Sequence, residues 1–166
     1  MPRLRQRKDG VMNTLGIVEI GTYKDAKSLR RALEESGVWI SGWAEDILSK
    51  IKVTKSRQTL DLVDASVEEL GFSRGTELRD IYRAGGEKDW DLCPDEAAAQ
   101  YLLQRGDDLK PGEVLIFAMK PIKDSDGDLY LFGVRRYDDD RWLYACDGGP
   151  DSFWSASYRF VFVRRK

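Results

Sequence analysis

Four apolar runs crowded into the last third of the chain limit its fold more than any other feature. They occupy residues 113–120, 128–137, 141–146 and 158–165. Each is short, rich in β-branched and aromatic residues, and bounded by Gly, Pro, Asp or Ser, the pattern of a strand between turns. Val114, Leu115, Ile116, Phe117, Ala118 and Met119 are apolar on both alternating faces, so this strand is expected to be central and covered on both sides. The turn Asp124-Ser-Asp-Gly127 should pair it with residues 128–137, and Asp138-Asp-Asp140 should close a short hairpin onto residues 141–146. A longer loop opened by Gly148-Gly-Pro150 precedes the last run. Alternation there puts Tyr158, Phe160 and Phe162 on one face, with their rings expected in the core, and Val161 and Val163 on the other.

Upstream the signals are mostly helical. Asp25 can cap a helix over residues 26–36, because its carboxylate can accept the free N–H groups of the first turn, and Gly37 suits a left-handed stop. Ser41 can cap a second, short helix with Trp43, Ile47, Leu48 and Ile51 as its buried face. Ser66-Val-Glu-Glu69 has capping-box spacing. Thr76 can cap a helix that should end at Gly85-Gly86. Pro94 suits the first position of another helix, with Asp95 and Glu96 complementing its positive end and Gly106 stopping it.

The expected fold class is therefore α+β: an antiparallel C-terminal β meander of about four strands with N-terminal helices packed on one face. Strands near Ile17 and Leu62 are candidates for the same sheet. A chain of 166 residues that is 42% hydrophobic has enough apolar mass for one core. The organisation read from it is a flexible basic arm over residues 1–13 and a single α+β domain over 14–166, helix-rich from 22 to 110 and β-rich from 113 to 166.

Charge is uneven although the net value is only -2. Arg3, Arg5, Arg7 and Lys8 make the start basic, Arg164, Arg165 and Lys166 make the end basic, and the stretch between them from Gly85 to Ser155 is acidic. Basic ends can contact a polyanion, and they also serve as solubilising arms. Cys93 and Cys146 are far apart with no CxxC pair, which fits a reduced, cytoplasmic protein. No run approaches the roughly 20 apolar residues of a membrane helix, so no membrane partner is expected.

The chain has no histidine. Ser-His-Asp and Cys-His catalysis, histidine-ligated zinc and the facial iron triad all require one and are excluded. No P-loop or dinucleotide fingerprint is present, and no cofactor is expected. Asp124, Asp126 and Asp128 alternate as in a calcium loop and are the metal candidates. The glycine such a loop needs at its sixth position is Leu129 here, and a tight hairpin turn is the better reading. The run Tyr158-Arg-Phe-Val-Phe-Val-Arg-Arg165 has the look of an RNA-binding aromatic strand but lacks its glycines. Among five tryptophans, Trp154 lies in a Gly/Pro/Ser loop and is expected to be the most exposed, and Trp142 sits on a strand beside Arg141.

The blocks Asp91-Leu-Cys-Pro-Asp-Glu96, Ala118-Met-Lys-Pro-Ile-Lys-Asp-Ser-Asp-Gly127 and Arg159-Phe-Val-Phe-Val163 resemble those of an uncharacterised family of bacterial proteins. The resemblance implies a bacterial, soluble origin and transfers no activity.

The function expected is a small non-enzymatic protein-interaction or regulatory module whose partner is another protein, with Trp142, Trp154, Arg141 and Arg159 as contact residues. One alternative is a nucleic-acid binder using Arg3, Arg5, Arg7, Lys8, Arg164, Arg165 and Lys166. A second is a histidine-independent hydrolase or transferase working through Asp, Glu and Tyr.

Overall fold

Local chemistry sets the first elements as expected. The computed structural model describes residues 13–165. Strand β1 (Asn13–Ile20) leads to helix α1 (Ala26–Glu35), where the Asp25 carboxylate accepts the Ser28 N–H at 2.8 Å. Gly37, with φ of 77°, turns the chain out of α1. It continues through β2 (Trp39–Ile40) into α2 (Gly42–Leu48), capped by Ser41, and then β3 (Gln58–Ser66). Ser66 and Glu69 exchange reciprocal bonds at 2.9 and 3.0 Å, so the capping box forms. Next come β4 (Thr76–Glu77), α3 (Leu78–Glu87), β5 (Trp90–Asp91) and α4 (Ala97–Arg105). A 3-10 turn (Gly106–Asp108) then leads to β6 (Val114–Phe117), β7 (Ile122–Lys123), β8 (Leu129–Tyr137), β9 (Asp140–Asp147), β10 (Phe153–Trp154) and β11 (Arg159–Arg164).

The expected α+β architecture, a C-terminal meander with helices on one face, is overturned. The described residues form eleven strands and four α-helices, and nine strands make one mixed sheet curled into a half-barrel. Its order is β1-β3-β11-β6-β8-β9-β2, with β5 on β11 and β7 on β8, while β10 and β4 pair separately. Only β6, β8 and β9 run as a meander. Strand β11 does not add to β9; it lies between β3 (Phe162 opposite Val63, antiparallel) and β6 (Phe160 opposite Ile116, parallel). Burial explains the crossing. Phe160, Val161 and Phe162 are fully buried, so both edges and both faces of that strand need neighbours. A place beyond β9 would leave one edge bare, whereas β3 and β6 offer buried Leu62, Val63, Leu115 and Ile116 on either side. Closing the longer loop costs little more than closing a short one.

Helices cover both faces, not one. Tyr101 of α4 packs against Phe117, with ring centroids 5.9 Å apart. On the opposite face Tyr82 of α3 meets Phe162 edge-on at 6.5 Å, and Trp154 meets Phe160 at 5.2 Å. Gly85-Gly86 does not end α3, which continues to Glu87. A Cβ on Gly85 would stand 2.5 Å from a ring carbon of Phe162, so the missing side chain is what lets helix and sheet meet.

The helix expected at Pro94 begins at Ala97, because Asp95 and Glu96 are used elsewhere. Buried Glu96 accepts the N–H groups of Thr54 (2.7 Å) and Gly21 (3.3 Å), and Asp95 accepts that of Lys52 (3.2 Å). Together they pin two loops to the start of α4. Among the described residues, no helix is long and apolar enough to cross a membrane.

Candidate functional site

Alternation along β9 sends Trp142, Tyr144 and Cys146 to one sheet face and Arg141, Leu143 and Ala145 to the other. Register then builds a row across four strands on the first face: Trp39 of β2 beside Trp142 of β9, Arg135 of β8 beyond it, and Val114 of β6 beyond that. The Trp39 and Trp142 rings stack with centroids 5.6 Å apart and planes 20° apart. Trp39 is 54% exposed and Trp142 half-buried. Tyr137, two residues from Arg135 on the same face, holds its ring 4.0 Å from the Arg135 guanidinium carbon and is 48% exposed. This is cation–π geometry.

The next row is set by a glycine. Tyr144 lies opposite Gly133, where a Cβ would sit 2.7 Å from the tyrosine Cζ and 2.9 Å from Cys146 Sγ. Without a side chain at Gly133 the tyrosine ring can lie across the neighbouring strand, a cross-strand cover of glycine by an aromatic ring. The result is an aromatic shelf over β2, β9 and β8.

Arg135 is the unusual charge on this shelf. The half-buried Arg105, Arg136, Arg141 and Arg159 pair with Asp108, Asp139, Asp107 and Asp64. Arg135 has no carboxylate within 4.0 Å among the described residues, and its buried Nε has no hydrogen-bond partner.

The reactive groups nearby are quiet. Burial above all, with Cys146 adding to it and Arg135 acting against it, pushes the Tyr144 phenol well above its ordinary range. Burial also pushes the Cys93 thiol up and the Cys146 thiol up to about 12. A raised value keeps each group protonated near neutral pH, the opposite of an activated nucleophile.

The residues expected to form a contact surface are scattered. Trp142 is on the shelf. Arg141 points the other way, donating to the Ser36 carbonyl at 3.0 Å and facing Asp107 at 3.6 Å. Trp154 is only 8% exposed, reversing the expectation that it would be the bare indole; it packs edge-on against Tyr158 and Phe160. Arg159 binds buried Asp64 at 2.6 Å and Glu69 at 3.0 Å. The most exposed indole is Trp43 at 61%, expected in the core but stacked on Tyr130 near a cleft of about 560 Å³ that Asp128, Asp147 and Asp151 help to line.

Of the basic residues, Arg164 faces Asp61 at 3.0 Å and Arg165 faces Asp91 at 2.8 Å and Asp89 at 3.4 Å. They line a cleft of about 690 Å³ with Arg57, Glu19 and Asp91. Arg3, Arg5, Arg7, Lys8 and Lys166 lie outside the described residues. In the Asp124 turn, one carboxylate oxygen accepts the N–H groups of Asp126 (2.9 Å) and Asp128 (2.8 Å). Among the described residues no group of three or more acids and cysteines is placed to hold a metal ion.

Trp39, Arg135, Tyr137 and Tyr144 did not stand out in the sequence. The one available signal was Gly133 inside a strand, which marks close approach by a neighbour. A search of family models, one of curated proteins and one of solved structures each find no match to the chain.

Proposed function

We propose that the chain is a small, non-enzymatic interaction module of bacterial type, working in the cytoplasm, that holds an extended segment of a partner protein on the Trp39–Trp142 shelf. The observation that carries this reading is the stacked, half-exposed indole pair on edge strand β2 and its neighbour. Two indoles already stacked give a rigid apolar anchor with little side-chain entropy left to lose, the property of binding hot spots.

The polyanion reading has less support, because Arg164 and Arg165 already face Asp61, Asp89 and Asp91. The hydrolase or transferase reading through Asp, Glu and Tyr draws no support from Tyr144, because burial pushes its phenol up, away from an activated base.

Selection of short linear peptides from a random display library on the immobilised protein tests the proposal. Peptides should be enriched, and Trp39→Ala should weaken the winners by about tenfold or more, the loss expected for a central aromatic anchor. An empty selection, or winners indifferent to Trp39→Ala, refutes it.

A further inference from the structure

We infer that the shelf selects a partner segment carrying one acidic side chain, read by Arg135; this rests on the peptide-binding reading. The guanidinium cannot lose its proton. It stands in a row with Trp142 on one side and Val114 on the other, and against the Tyr137 ring. Apolar neighbours on three sides remove part of its hydration and strengthen any charge interaction made there. The other half-buried arginines have their carboxylates within the chain, whereas Arg135 has none among the described residues. The missing counter-charge is thus one that a bound segment can bring, and the planar guanidinium fork fits a carboxylate.

Surrounding charge narrows the occupant. Tyr137 runs directly into the exposed hairpin Asp138-Asp-Asp140. A chain of phosphates laid over Arg135 would meet those acids. A segment with a single Glu or Asp at Arg135 and a Lys or Arg toward the hairpin meets both signs correctly. The shelf extends on both sides of Arg135, toward Trp39 and toward Val114, so the segment passes across it. An internal acidic side chain fits this better than a terminal carboxylate.

Two pools of short peptides, acetylated and amidated at their ends, provide the test. Both have random apolar flanks; one has a central Glu-X-Lys and the other Gln-X-Lys. The protein should retain the Glu pool about tenfold better, a charge-assisted bond against a neutral one, and the preference should shrink with added salt. Arg135→Met, whose fold is checked by circular dichroism, should bind both pools equally. Trp39→Ala should lose both. Equal retention of the two pools by the unaltered protein, or a Glu preference that survives Arg135→Met, overturns the inference while leaving the peptide-binding reading intact. Stronger binding of free-carboxylate peptides, or displacement by single-stranded oligothymidylate, overturns it in favour of a chain end or a nucleic acid. Failure of both pools on the unaltered protein removes the peptide-binding reading itself.

Discussion

Adjacent glycines in α3 should respond in opposite directions to the same substitution. Gly86 is exposed, and a Cβ added there meets nothing within 4 Å. Gly86→Ala therefore gains helix propensity alone and should stabilise by about 0.5–1 kcal/mol. Gly85→Ala gains the same propensity, but its Cβ lands 2.5, 2.7 and 3.0 Å from three ring carbons of Phe162. That ring is fully buried, with Trp90 at 5.5 Å and Tyr82 at 6.5 Å, so it has no free direction in which to move. Overpacking of this kind costs about 2–3 kcal/mol, leaving a net loss of about 1–2 kcal/mol. Urea unfolding followed by tryptophan fluorescence gives both values from the midpoint, provided the slope is unchanged. Phe162→Leu in the Gly85→Ala background should recover part of the loss, and that coupling is read from a double-mutant cycle. A Gly85→Ala protein as stable as the Gly86→Ala one would refute the claim that α3 meets the sheet through this contact.

Asp124→Ala should cost about 1–3 kcal/mol in urea unfolding, because the N–H groups of Asp126 and Asp128 lose their acceptor; Asp124→Asn keeps an acceptor and should cost clearly less. Arg159→Met should cost about 3 kcal/mol, since buried Asp64 loses the guanidinium that faces it, and equal stability in unfolding experiments would discount that pair. Ser125, through its backbone N–H and then its hydroxyl, holds the Asp46 carboxyl below the usual aspartate range. The folded value is thus lower than the unfolded one, so this stabilisation is present above the ordinary aspartate pKa and fades as pH falls through the folded value. Asp46→Asn should flatten the acid side of the stability–pH curve and leave the alkaline side alone.

The parts of the fold that were legible in the sequence are those decided locally. Asp25, Ser41 and the Ser66–Glu69 box act within a turn of themselves, and the two-faced apolar run Val114–Phe117 announced a central strand. Sheet order is decided by long-range burial, and nothing local says that Phe160 will sit beside Ile116 and not beside a residue of β9. Strands of two residues, such as Trp39–Ile40 and Trp90–Asp91, are too short to show a period. The candidate site hides for the same reason. Trp39 becomes a neighbour of Trp142 only through a parallel pairing across more than 100 residues of chain. Trp154 is buried in spite of its Gly/Pro/Ser loop because Tyr158 and Phe160 offer its ring a slot that loop composition cannot reveal.

Inserting β11 into the middle of the sheet also has a cost in assembly. Until residues near 160 have been made, β3 and β6 each present a raw edge lined with apolar side chains, and the two half-sheets are bridged through α4 without the strand that joins their edges. Contacts of such long sequence separation form late and slowly, and unpaired edges attract other chains meanwhile. Newly made protein should therefore depend on chaperones and low concentration far more than the finished molecule does, with damage to this single segment showing first as aggregation during expression.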